Sequence, residues 1–160
     1  MKRRGVEQPG SSQGSMDTKL KADIAESAVK TELLKRGFRV LQPIGDRLAY
    51  DLGIDLNGRL LRVQVKSAWF NRKANYYLID VRRTKTNRRR MLRKNYNAKD
   101  FDFAITYIAD LHRFYVMPVS VFCRYKSTIV FVEAKKRQRK PKSASYRERW
   151  DLLSAGSRRR

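Results

Sequence analysis

The sequence predicts one α/β domain, an α+β arrangement in which helices flank a central mixed β-sheet. Three observations predict it. Apolar residues recur at helical spacing once, near the N-terminus. Period-two segments then follow one another between Gly, Asn, Pro and Asp turns. One segment, Phe101 to Ile108 (FDFAITYI), is apolar enough for a strand buried on both faces. With 160 residues, 41% of them hydrophobic, the chain is large enough to build a core.

The elements follow in order. Asp17 or Thr18 can cap a helix that runs to Arg36, where Gly37 stops it. Ile24, Ala25, Ala28, Val29 and Leu33 share one side of that helix. Phe38 to Leu41 is a short strand, and Pro43 and Gly45 open a turn. A hairpin then has arms at Ala49 to Asp55 and Arg59 to Ser67, joined by Asn57-Gly58, a dipeptide that favours the tight turn matching strand twist. Tyr76 to Val81 is a further strand. Arg82 to Asn97 breaks the alternation and reads as a loop. After Phe101 to Ile108, a turn at Asp110-Leu111 leads to a strand at Arg113 to Met117. A short helix is expected in Pro118 to Arg124 and a last strand at Thr128 to Val132. Lys135 to Lys142 (KKRQRKPK) is a basic linker before an amphipathic segment at Tyr146 to Leu153. The expected division is a disordered leader over 1–15 with the start at Met16, a core over 16–134, a basic helical extension over 135–157 and a basic tail over 158–160.

Charge narrows the function. The formal net charge is +23, which points to a polyanionic partner. Residues 1–15 hold only Lys2, Arg3, Arg4 and Glu7, so the basic balance belongs to the remainder. No apolar run approaches a membrane span, which favours nucleic acid over a bilayer. Cys123 is the single cysteine and His112 the single histidine, which excludes a disulfide within the chain, a zinc cluster and two-histidine chemistry. Cys123 is expected to be a small buried hydrophobe, and His112 to lie at a turn without a chemical role.

The hairpin carries the chemistry. Along its second arm Leu61, Val63 and Val65 take one face, while Arg62, Gln64 and Lys66 take the other. Gln64 and Lys66 therefore stand roughly 6–7 Å apart along the strand. Folding at Asn57-Gly58 brings Asp51 opposite Gln64. Phosphodiester hydrolysis needs a metal to polarise the phosphate and generate hydroxide, with a cation near the developing charge. Asp51 can give a carboxylate, Val65 its backbone carbonyl, and Lys66 the cation. Hard oxygen donors of this kind suit Mg²⁺. Glu26 lies along the helix edge with Val29 and Leu33 and can supply a second carboxylate.

Glu26, Asp51 and Gln64-Val65-Lys66 resemble the Glu, Asp and (Glu/Gln)-x-Lys signature of the PD-(D/E)XK nucleases. The run from Met16 through Val132 is similar to the homing endonuclease of this fold encoded in a cyanobacterial group I intron. The resemblance implies a restriction-endonuclease-like core and a site-specific, metal-dependent double-strand cut in a long, roughly palindromic DNA target. It implies catalytic roles for Glu26, Asp51, Gln64 and Lys66, although Gln64 stands where most such sites carry an acid. It further implies Mg²⁺ as cofactor, Mn²⁺ as a substitute, and Ca²⁺ binding without cleavage. The implied assembly is a tetramer built as a dimer of dimers, in the bacterial cytoplasm and at the nucleoid when on DNA. Val119 to Phe122 and Thr128 to Val132 are the apolar candidates for its interface.

DNA contacts are expected from three stretches. Arg82 to Lys94 holds eight basic residues and no acid, and Arg82, Arg83, Lys85, Thr86, Asn87, Arg88, Arg89, Arg90, Arg93 and Lys94 suit phosphates and base edges. Beyond Lys66 the hairpin face continues through Ser67, Trp69, Asn71, Arg72, Lys73, Asn75 and Tyr77. Lys135, Lys136 and Arg137 suit phosphate contact. Two other readings compete: a Holliday-junction resolvase of the same fold, and a basic binding protein without catalysis. The second offers no reason for Glu26, Asp51, Gln64 and Lys66 to converge.

Overall fold

The computed structural model describes residues 17–87, 90–135 and 139–155, with side chains 84–92 outside the description. The expected leader, the tail, and Arg88, Arg89, Lys136 and Arg137 lie outside the described residues. Helix α1 (Thr18–Lys35) begins where Asp17 accepts the Lys19 N–H at 3.0 Å and closes before Gly37, whose φ is +80°. Its buried stripe is Ala25, Val29 and Leu33, with Ala28 partly covered. Ile24, expected on this stripe, is 39% exposed, because it sits one position before Ala25 and turns off the stripe's edge.

Strands β1 (Arg39–Leu41), β2 (Leu52–Leu56) and β3 (Arg59–Ser67) follow, with β2 beginning later than the alternation suggested. Asn57 and Gly58 take φ values of +55° and +88°, and the Asp55 carboxylate accepts the Gly58 N–H at 2.7 Å. These left-handed conformations are the ones a two-residue hairpin needs. Next come β4 (Trp69–Asn71), β5 (Tyr76–Asp80), β6 (Arg82–Asn87), β7 (Arg90–Asn95), β8 (Phe103–Ile108) and β9 (Arg113–Pro118). Helix α2 (Val119–Phe122), β10 (Thr128–Phe131), a 3₁₀ segment (Lys142–Tyr146) and α3 (Asp151–Ala155) complete the chain.

The main sheet has the order β1-β2-β3-β8-β9, antiparallel except for the parallel pair β3 and β8. A second sheet, β10-β5-β4, and a two-stranded ribbon, β6-β7, stand beside it. Every residue of β8 is buried, as its composition predicted. Phe103, Ile105 and Tyr107 enter a first core with α1, Leu61, Val63 and Val65, while Ala104 and Ile108 enter a second with β5, β10 and α2. The Arg62 guanidinium clasps the Asp102 carboxylate through two 3.2 Å bonds, and Asp102 also accepts the Arg62 N–H at 2.7 Å. That clasp fixes the register of β3 against the start of β8.

Two expectations change, and two further segments pack into the cores. Arg82 to Asn97 is not a loop: β6 and β7 pair from Arg82↔Asn95 to Asn87↔Arg90. Within the C-terminal segment, Trp150 and Leu153 are buried in the first core, with the Trp150 ring 5.2 Å from Phe114. The suggested interface segments place Phe122, Ile129 and Phe131 inside the second core, where the two-faced burial of β8 requires apolar cover. Cys123 is exposed, since it follows the last turn of α2 rather than lying on its packed side. Among the described residues no helix is long and apolar enough to cross a membrane.

Trp150→Ala tests whether the C-terminal segment completes the fold. Loss of a ring packed against Phe114 and beneath Arg36, at 4.6 Å, is expected to cost about 3–5 kcal/mol in denaturant unfolding. An unchanged unfolding midpoint would detach this segment from the core.

Candidate active site

The hairpin register builds the centre of the site. Leu52 pairs with Val63, and the Asp51 N–H donates to the Val63 carbonyl at 2.9 Å, so Asp51 lies beside Gln64 as the turn predicted. Asp51 Oδ2 accepts the Val65 N–H at 2.7 Å and the Gln64 side-chain amide at 2.6 Å. The same Gln64 nitrogen donates to the Val65 carbonyl at 3.2 Å. Both partners are acceptors only, so the amide must turn its NH₂ toward them. Gln64 is buried, at 8% exposure.

Glu26 approaches from α1 across an open cleft lined by Asp23, Ser27, Lys30, Gln42 and Leu52. Burial, the Asp51 charge and the Asp23 charge push its carboxyl up to about 7, and Lys30 only partly opposes them. Burial also raises Asp51, against the Val65 N–H, Lys66, Arg83 and the Gln64 amide, which lower it. Burial thus raises both carboxyls, and the Asp51 charge raises Glu26 further, even in a strongly basic chain.

Lys66 projects from β3 on the Gln64 side. Its Nζ donates to the Arg82 carbonyl at 3.3 Å and to the Tyr96 hydroxyl at 3.5 Å, and lies 4.9 Å from the Tyr96 ring centre. Burial holds the lysine below its ordinary range, and the charges of Asp51 and Asp80 counteract this. Tyr96 was not singled out by the sequence; its position just past a charged stretch gave no period to read.

The donor set fits a divalent cation. The Asp51 carboxylate and the Val65 carbonyl converge on one amide nitrogen, a shared position that asks for a positive partner. Glu26 adds a nearby carboxylate whose raised pKa a cation would reverse. Among the described residues no group of three or more His, Cys, Asp or Glu gathers as a metal centre, so a cation here would rest on Asp51, Glu26 and the Val65 carbonyl.

The expected DNA-contact residues divide. Trp69, Arg72, Lys73 and Asn75 are exposed on β4 and its turn, and Arg93, Lys94 and Lys135 are exposed as well. Ser67 is half-buried at the end of β3. The Asn71 side chain accepts the Ala74 N–H at 3.1 Å and so shapes that turn. Tyr77 faces the second core at 9% exposure and donates to Asp110 at 3.3 Å, because the β5 pleat turns it inward. Arg82 is bound to Asp80 at 2.8–2.9 Å, and Arg83 donates to the Asp46 and Leu48 carbonyls at 3.3 and 3.0 Å. These two arginines hold the ribbon's base. Lys85, Thr86, Asn87 and Arg90 lie on the ribbon backbone, with side chains outside the description.

Glu26 gives a pH prediction. Its folded value of about 7 exceeds the ordinary 4.5, so its contribution to stability is full below 4.5 and is lost as pH rises through 7. In EDTA, melting temperature should therefore decline across this window more for the parent than for Glu26→Gln. Parallel curves would mean that Glu26 does not titrate there.

Residues 16–153 match the family model of the PD-(D/E)XK endonuclease. A solved structure of a bacterial homing endonuclease, I-Ssp6803I, is 53% identical, with a TM-score of 0.82. The similarity covers 90% of this chain and 97% of that one. No curated protein matches the chain. With Asp51, Gln64, Val65 and Lys66 gathered on one hairpin and the match running from before α1 to α3, the chain belongs to the PD-(D/E)XK endonuclease family.

Proposed function

We propose that the protein is a homing endonuclease that makes a Mg²⁺-dependent double-strand cut in a long, roughly palindromic DNA target. The observation that carries this is the convergence of Asp51, Gln64 and the Val65 carbonyl beside Lys66, in a chain alike over nearly its full length to a bacterial homing endonuclease. Asp51, the Val65 carbonyl and Glu26 would hold the cation, and Gln64 supports them. A bound Mg²⁺ supplies Lewis-acid polarisation of the phosphate and a lower pKa for water. Lys66 keeps an ammonium on the β3 face where charge develops or the attacking water is oriented.

The basic ribbon and the exposed β4–β5 turn form the DNA-facing candidates. Arg93, Lys94, Arg72, Lys73, Asn75 and Trp69 are the described exposed members, and Lys85, Thr86, Asn87 and Arg90 extend the set along the ribbon. One domain covers a half-site, so a palindromic target calls for two symmetric copies on DNA, one dimer of the expected dimer of dimers.

The test is cleavage of a duplex carrying the candidate intron-insertion site and of a long mixed-sequence duplex, with Mg²⁺, EDTA and four-way junction controls. Discrete products that require Mg²⁺ support the reading; cutting of junctions alone would make the protein a resolvase. Lys66→Ala and Asp51→Ala should each reduce cutting by about 10²-fold or more while leaving DNA affinity largely intact. Gln64→Glu should move the Mg²⁺ midpoint to lower concentration by restoring a carboxylate. An unchanged Mg²⁺ titration would remove Gln64 from the site.

A further inference from the structure

Of the constellation, Lys66 carries its functional atom on the longest flexible stem. Four rotatable carbons separate Nζ from β3, so the ammonium acts only if something holds it. Among the described residues no carboxylate lies within ion-pairing distance of it. Its nearest recorded partners are a neutral carbonyl at 3.3 Å, on Arg82, and the hydroxyl and ring of Tyr96. At 3.5 Å the hydroxyl sits at the outer limit of a hydrogen bond, so the ring carries the larger share of the contact.

The ring is itself fixed. It meets Phe101 at 5.2 Å and Phe122 at 6.2 Å, both nearly edge-on, and these two phenylalanines are fully buried. The Cys123 thiol donates to the Tyr96 carbonyl at 3.5 Å. Tyr96 thus links the second core to the lysine. It is also the residue immediately after β7, whose last pair is Arg82↔Asn95. Both groups that hold Lys66 therefore stand at the root of the β6–β7 ribbon.

We propose that Tyr96 is a positioning residue for Lys66: its ring, braced on Phe101 and Phe122 at the ribbon root, holds the ammonium in the active site. The proposal rests on the endonuclease reading of that site. It makes the arm expected to lie on DNA and the clamp on the lysine one piece of chain.

The experiment is single-turnover cleavage by the full protein at saturating enzyme, with DNA affinity measured in EDTA. Parent cleavage and its loss in Lys66→Ala establish the underlying reading first; failure there overturns that reading, not the role of Tyr96. Given parent cleavage, Tyr96→Leu should cut about 10- to 100-fold more slowly with DNA affinity within about threefold of the parent, while Tyr96→Phe, which keeps the ring, should restore most of the rate. A Tyr96→Leu protein that cuts at the parental rate, or whose affinity falls as far as its rate, overturns the proposal. Were Tyr96→Leu not to fold, the native protein decides. A ring-shifted, upfield lysine Cε resonance that disappears in Lys66→Arg upholds the contact, and its absence overturns it.

Discussion

The site depends on the register of one hairpin. Asn57 and Gly58 set β2 against β3 so that Leu52 faces Val63, and everything else follows from that pairing. Side chains alternate with period two, so a slip of one residue would turn Leu61, Val63 and Val65 out of the first core. It would also carry Asp51 past both the Val65 N–H and the Gln64 amide. Core packing and catalytic geometry thus specify the same register. The Arg62–Asp102 clasp repeats that constraint on the other edge of β3, where the parallel strand β8 begins.

Electrostatics divides the molecule in two. The surface is strongly cationic, yet the cleft raises the carboxyls of Glu26 and Asp51. Nearby basic groups offset this only in part, Lys66 and Arg83 at Asp51 and Lys30 at Glu26, and most of them carry other partners as well. Arg82 is held by Asp80, Arg83 by two backbone carbonyls of the 46–48 segment, and Lys30 reaches Gln42 at 3.3 Å. Positive charge outside draws a polyanion in, while inside, acceptor oxygens keep an affinity for a small cation. Gln64 in place of an acid softens this second effect, and its NH₂ bridges the Asp51 carboxylate and the Val65 carbonyl, which an ionised carboxylate could not do.

Much of this was legible in the sequence. Asn57-Gly58 with alternation on both sides gave the hairpin and hence the neighbours Asp51 and Gln64. The unbroken apolar run Phe101–Ile108 gave a strand covered on both faces. The ribbon was not legible: Arg88-Arg89 between Asn87 and Arg90 lacks the Gly or Asn that marks a tight turn, and dense like charge resembles a loop. Only Thr84 and Thr86, β-branched at period two, carried a strand signal. Tyr77 was misplaced because an aromatic in a short strand does not reveal which face is covered. The burial of Trp150 depended on partners near the other end of the chain, which no local pattern contains.

That last contact has a consequence for how the protein is made. The nuclease motif is complete in the chain by Lys66, but β8, which pairs with its strand, comes long afterwards, and Trp150 closes the first core against α1 only near the end. Such distant pairings must pass through an open, loosely ordered state before they are rewarded, which makes folding slow and cooperative. A growing chain therefore carries its motif without the shape that makes it a cutter. The first core is complete in the chain only once Trp150 and Leu153 have been added.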